Sequence, residues 1–253
     1  MRKTLLFFIL GFVWLLALPL LAQEKPGTVA GVWYIKPKAG MQQQFEQALK
    51  RHMDWHRQQK DTLTVKVWQV GTGERTGQYA RGVFGLHWKD LDSRAKFMEA
   101  DGADYNANVA QYEESEVGAV YLYHPDLSRP MPGDVPTPIY STVWYQLNID
   151  GESDFLLAIR KAHEAIQKAN WPVYYEFYGL YNGGEHPTYV LTFPHKNWAD
   201  FEPPEQTFRA VLEKAYGREE AESVLKLFDK SVHCVRSELA LSRPDLSYVP
   251  AAK

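Results

Sequence analysis

Cysteine is almost missing from this chain. Cys234 is the only one in 253 residues, so no intrachain disulfide can form in any compartment, and it reads as a small side chain packed near a strand. There is no C-x-x-C pair, no G-x-S-x-G turn and no phosphate-cradling glycine loop, so the usual redox, acyl-transfer and nucleotide signatures are excluded. No basic tract stands out among 28 basic and 31 acidic residues, which argues against a nucleic-acid partner. Long apolar runs are also lacking, with one exception at the start of the chain.

That exception reads as an export signal. Arg2 and Lys3 precede a nearly unbroken apolar run from Leu5 to Leu21, with Ala22 before Gln23. Residues 1–22 are therefore expected to be a signal peptide, and the protein to be periplasmic or secreted. Leu20 fits a small-x-small cleavage site poorly, and the run is near the lower length for spanning a bilayer, so an uncleaved membrane anchor is the alternative. No Cys follows the run, which excludes a lipoprotein anchor there. Without Arg2 and Lys3, 26 basic residues face 31 acidic ones, a net charge of about −5.

Aromatic residues are abundant: eight Trp and fifteen Tyr imply thick sheet packing or a ring-lined cavity. Their placement repeats. Val32-Trp33-Tyr34, Gly40 and His52 are answered by Val143-Trp144-Tyr145, Gly151 and His163, each 111 residues later. In the first copy a β-branched and aromatic strand, Thr28 to Lys36, is followed by a turn at Gly40 and a helix with Phe45, Leu49, His52 and Trp55 at helical spacing. Two strands, Leu63 to Val70 and Tyr79 to Trp88, turn at Gly71-Thr72-Gly73. A helical segment, Leu91 to Tyr112, is expected to break near Gly102, and Val117 to Tyr123 is the fourth strand. The second copy retraces this: strand Ile139 to Leu147, helix Ser153 to Ala169, strands Val173 to Leu180 and Thr188 to Phe193, a longer helical stretch Phe208 to Lys230, and strand Val232 to Leu241.

The two copies also leave alike. Pro-Asp-Leu-Ser occurs at Pro125 and again at Pro244, offset by 119, so the second copy has gained about eight residues in its helical region. The expected organisation is a first half over 27–127, a proline-bearing linker over 128–138 and a second half over 139–248. Each half is β-α-β-β-α-β, the split βαβ pattern of an α+β fold. One bare sheet face per half would be covered by packing sheet against sheet.

With these elements in place, the chain resembles the dimeric α/β-barrel superfamily of duplicated ferredoxin-like units, which includes antibiotic-biosynthesis-monooxygenase-like and NIPSNAP-like domains. The resemblance is one of topology over nearly the whole chain after the signal, and it implies two tandem ferredoxin-like units packed as an intramolecular α/β barrel. It implies further that substrates, and in some branches haem, sit between helices and sheet, where His52 and His163 would point.

These two histidines are the catalytic candidates, since a neutral imidazole can ligate iron or act as a base; a hydrogen-bonded core histidine is the other reading. His52-Met53-Asp54-Trp55-His56 has the i, i+4 pair of a metal site, but Met53 stands where the H-E-x-x-H motif has Glu, and His163-Glu164 lacks the second His. No metal site is expected. Alternation along the second strands puts Lys66 beside Thr64 and Trp68, and Glu176 beside Tyr174 and Tyr178. With Arg236 and Glu238 these are expected to form a polar cluster ringed by aromatics between the sheets, either a docking ion pair or a ligand site. Trp33 and Trp144 join the ligand-binding candidates, each with its following Tyr on the other face. Three functions follow: a cavity binding a small apolar or aromatic molecule, a monooxygenase-like or haem-handling enzyme implied by the resemblance, and a solid barrel serving as an interaction module.

Overall fold

A computed structural model of the chain describes residues 27–133 and 135–251. The export-signal reading of residues 1–22 therefore lies outside the described residues. Six helices and eight strands alternate as the sequence implies. The first half runs β1 (Val29–Pro37), α1 (Gln42–Gln58), β2 (Lys66–Val70), β3 (Tyr79–Leu86), α2 (Trp88–Ser93), α3 (Ala95–Asn108) and β4 (Glu113–Tyr123). The second runs β5 (Ile139–Leu147), α4 (Glu152–Ala169), β6 (Glu176–Asn182), β7 (Thr188–His195), α5 (Phe208–Tyr216), α6 (Arg218–Ser231) and β8 (Val232–Ser242).

The strands close into one barrel in the order β1-β3-β2-β8-β5-β7-β6-β4. The halves were expected to stack sheet on sheet. Their faces do meet across the interior, where Tyr34 and Trp68 face Trp144 and Tyr178, and the halves also join edge to edge, β2 on β8 and β4 on β6, both antiparallel. Each seam pairs backbone groups that an open four-stranded sheet would leave as unpaired edges. At one seam Gly183 adopts φ +98°, and a Cβ there would sit 2.5 Å from the Gly118 carbonyl oxygen, so only glycine fits.

The Pro-Asp-Leu-Ser segments explain how the seams are held. Both are 3-10 turns, Pro125–Leu127 and Pro244–Leu246, and each crosses to the opposite half. Ser247 Oγ accepts from the Val67 backbone N–H on β2 at 2.9 Å, and Ser128 Oγ accepts from Phe177 N–H on β6 at 2.9 Å. The next residues continue the pairing, Tyr248 with Val65 and Arg129 with Tyr175. The serine ending each half thus satisfies a backbone donor of the other.

Structural equivalence between the halves is 110 residues, not 111. Phe45 and Phe155 are both fully buried, as are Ala48 and Ala158, and β1 and β5 begin at Val29 and Ile139. The repeated Val-Trp-Tyr is a one-residue slip against this register, and in a strand such a slip reverses the face of every side chain. Tyr34 and Trp144 share the barrel interior, whereas Trp33 lies on the other face of its strand, over Gly31 and Gly118. By the same correction His52 and His163 are not counterparts: His163 corresponds to Met53.

The helices cover the outside of the barrel. In α1 the buried residues Phe45, Ala48, Leu49, His52, Met53 and His56 recur at helical spacing, and full burial of a Phe or Leu side chain is worth about 1.5–3 kcal/mol. The break expected at Gly102 falls at Arg94 instead, between α2 and α3, and Gly102 sits inside α3 with open space where a Cβ would be. The long helical stretch of the second half divides at Gly217, whose φ of +81° ends α5.

Candidate functional site: a hollow helix layer in the second half

Three places in the molecule gather side chains with chemical potential. The barrel interior is lined by Tyr34, Trp68, Phe84, Tyr140, Trp144 and Tyr178, with Glu176 and Glu238 among them. Of the expected ligand-binding residues, Trp68, Trp144, Glu176 and Tyr178 meet here. Glu176 accepts from the Tyr178 hydroxyl at 2.8 Å. Its expected partner is elsewhere: Lys66 is exposed at the end of β2, and no ion pair joins it to Glu176 among the described residues. The interior ion pair is Arg75–Glu238, at 2.9 Å, with the Arg75 guanidinium 3.7 Å from the Tyr34 ring and 4.4 Å from Trp144. Burial raises the Glu238 carboxyl above its usual range, and Arg75 opposes that rise.

The remaining candidates lie outside the interior. Trp33 is on the opposite strand face, 5.3 Å from the Arg81 guanidinium. Tyr174 precedes β6 and lies 5.2 Å from the Arg129 guanidinium. Arg236 stands at the barrel mouth, largely exposed and 4.0 Å from Glu74. Lys66 and Glu176 each open their strand, yet only Glu176 lines the interior, and Arg236 lies mid-strand on β8 opposite Trp144, at the mouth. The free interior space is about 100 Å³. That is less than the roughly 150 Å³ of a cavity that admits one benzene, so the rings fill the centre of the barrel, while a half-polar space of about 530 Å³ opens at its mouth between Arg75, Tyr121, Trp144, Arg236 and Glu238.

The larger apolar space is outside the barrel, between α4, α5, α6 and the β5–β7 surface. This cavity of about 460 Å³ is lined by Ile159, His163, Tyr175, Phe193, Phe208 and Phe228, among others. It falls within the usual size of small-molecule pockets. His163 Nδ1 lies 2.8 Å from Tyr175 Oη. Burial lowers the His163 imidazole below its ordinary value and pushes the Tyr175 hydroxyl up to about 12, so both are neutral at pH 7. In the first half the corresponding layer buries a continuous cluster of Ile35, Phe45, Leu49, Met53, Tyr105 and Val109, none more than 5% exposed. At the position of His163 that half has Met53, 2% exposed.

The first half has its own polar group instead. His52 and His56 project from α1 toward Asp101 on α3, with Asp61 and Asp104 behind the two imidazoles. Sequence reading found the two histidines but not the three aspartates, which come from a loop and another helix. The available signal was the i, i+3 spacing of Asp101 and Asp104, which sets both on one side of α3.

Haem, raised by the resemblance, fits the hollow poorly. His163 could offer one nitrogen to an iron, but no Lys or Arg lines the cavity to receive two propionates, and its one charged lining residue is Asp229. No protein-family model and no curated protein matches the sequence. Solved structures do. A proposed monooxygenase from Lactobacillus acidophilus aligns over 90% of this chain and 98% of its own, at 8% identity and a TM-score of 0.51. A chlorite dismutase mutant from Candidatus Nitrospira defluvii, in complex with cyanide, aligns over 86% and 92%, at 9% identity and 0.52. Another proposed monooxygenase, from Fusobacterium nucleatum, covers 86% and 93% at 9% identity and 0.53. The fold is the dimeric α/β barrel. In this α/β barrel both ferredoxin-like units come from one chain, and identities this low carry the architecture alone.

Proposed function

We propose that this α/β-barrel protein is exported and binds a small apolar or aromatic molecule in the hollow between α4–α6 and the β5–β7 surface. The observation that carries the reading is the contrast at one structural position. Where the first half buries Met53 in a filled core, the second places His163 and Tyr175 on the wall of a 460 Å³ cavity. A neutral imidazole hydrogen-bonded to a neutral phenol gives an otherwise apolar wall one polar point that can orient a guest. Among the described residues no Lys or Arg lines the hollow, which argues against an anionic guest.

The enzyme reading has support from the monooxygenase and chlorite dismutase names of the structural neighbours. It is the second reading because it needs chemistry at His163 in addition to binding. Titration with the neutral probe N-phenyl-1-naphthylamine tests the first. Saturable fluorescence is expected, abolished by Ala162→Trp, which fills the hollow, and retained in Trp68→Phe, which alters only the barrel interior. Binding that survives Ala162→Trp in a folded protein would refute the site. Haemin beside it tests the alternative: a Soret shift lost in His163→Ala would favour haem over the neutral guest.

A further inference from the structure

The first half holds a cluster that the guest cavity does not use. His52 and His56 lie one turn apart on α1 and are 1% and 3% exposed. Their outer nitrogens are both committed: His52 Nδ1 is 2.7 Å from Asp104 Oδ2, and His56 Nδ1 is 2.9 Å from Asp61 Oδ2. Each carboxylate is held in turn. Asn108 donates to Asp104 at 2.9 Å, and Asp61 accepts from Arg94 at 2.7 Å and from the Leu63 N–H at 3.1 Å. A carboxylate only accepts, so the proton of each neutral imidazole sits on Nδ1 and its lone pair on Nε2.

Both Nε2 atoms then face a third lone-pair atom. Asp101 Oδ1 is 3.1 Å from His52 Nε2 and 3.3 Å from His56 Nε2. His52 Nε2 and Asp101 Oδ1 are buried without a satisfactory hydrogen bond. Three acceptors converging on one point repel one another unless a cation lies between them, either a metal ion or a proton carried on one Nε2. The geometry points to a divalent transition-metal site formed by His52, His56 and Asp101.

The surroundings agree with that assignment. Three carboxylates, Asp61, Asp101 and Asp104, and one guanidinium, Arg94, surround the two imidazoles, an excess of acidic groups that a cation would meet. Carboxylates on the Nδ1 side of ligating histidines fix ring orientation and strengthen the donor. Trp55, Phe97, Tyr105 and Tyr248 pack against the imidazoles with ring centroids 5.1–6.0 Å away, making an apolar shell. The side chain of Asp101 is 29% exposed and marks the way in. Two imidazoles and one carboxylate suit zinc or iron better than magnesium or calcium, and leave at least one coordination position open to water or a ligand.

The test uses tag-free full chain, stripped with chelator and dialysed against Zn²⁺ or Co²⁺. One metal per chain is expected. His56→Ala should weaken binding more than Asp104→Asn, and the latter by about 10–100-fold through the lost orientation of His52. His163→Ala should bind as wild type. If His56→Ala does not fold, zinc-edge X-ray absorption of the wild type decides, with two imidazole nitrogens and carboxylate oxygen at about 2.0–2.2 Å expected. No saturable binding by folded wild type, unchanged affinity in His56→Ala, or an all-oxygen shell would each overturn the assignment.

Discussion

The two halves share a register, a strand order and a pair of crossed latches, yet their helix layers have diverged in opposite directions. In the first half the space between helices and sheet is filled, and polarity is gathered into a compact histidine–aspartate cluster between α1 and α3. In the second half the matching space is hollow, and its polar groups are the His163–Tyr175 pair and Asp229. Duplication supplied two equivalent frames. Because the barrel closure belongs to both, either layer could change without opening the barrel.

The sharpest way to break this comparison is to put the same side chain at one position in each half. Ala48→Leu should cost about 1–3 kcal/mol by overpacking a filled core, whereas Ala158→Leu should be close to neutral because the added atoms enter the cavity. Guanidinium unfolding of the two variants checks this, and equal costs would mean the hollow is not real.

The latches differ in charge. Arg243 grips Glu46 with contacts of 2.8 and 2.9 Å, while the matching residue at the other exit is His124, its ring tilted against Phe177. The Arg243 hydrogen bonds hold the Glu46 carboxyl at about 2, down from 4.5. Because the folded value is the lower one, the stabilisation is complete above pH 4.5 and is lost as pH falls toward 2. The pair is partly exposed, so its worth is about 1–2 kcal/mol after solvent screening. Acid unfolding followed by circular dichroism should show Glu46→Gln lacking this component of the pH dependence.

A smaller effect tests what the halves still share. Ser247→Ala and Ser128→Ala each remove one hydrogen bond to an edge strand, and each should cost about 1 kcal/mol, equally if the seams are equivalent. Smallest is Tyr175→Phe, expected to lower thermal stability by about 0.5 kcal/mol while changing probe affinity at His163.

Much of the fold was legible in the sequence because alternation, turn residues and duplication all agree. The register was not, because Val-Trp-Tyr matches one residue out of step, and a tripeptide identity says nothing about which face each ring takes. Phe45 and Phe155, both at the 110 spacing, would have corrected it. The candidate sites were legible only in part. Trp68, Trp144, Glu176 and Tyr178 converge because alternation governs all of them, but alternation does not tell that Lys66, the first residue of β2, is exposed or that Arg236, mid-strand on β8, lies at the open mouth. His52 and His56 announced themselves by spacing, and Asp61 meets His56 from the turn five residues on, while Asp101 and Asp104 reach them only through the packing of α3 on α1. The hollow is a property of missing volume and has no motif.

The β2–β8 seam has a temporal consequence. It pairs Trp68 with Ser242, so the ring of strands cannot close until a segment more than 170 residues further along the chain is available. Contacts this distant in sequence pay a large loop-closure entropy and form late. As the chain emerges, β2 waits with an unpaired edge, and Val67 lacks the hydroxyl of Ser247 that later accepts its N–H. The final strand and its latch therefore act as a completion signal, and a chain truncated before Ser242 should persist as an open, association-prone sheet.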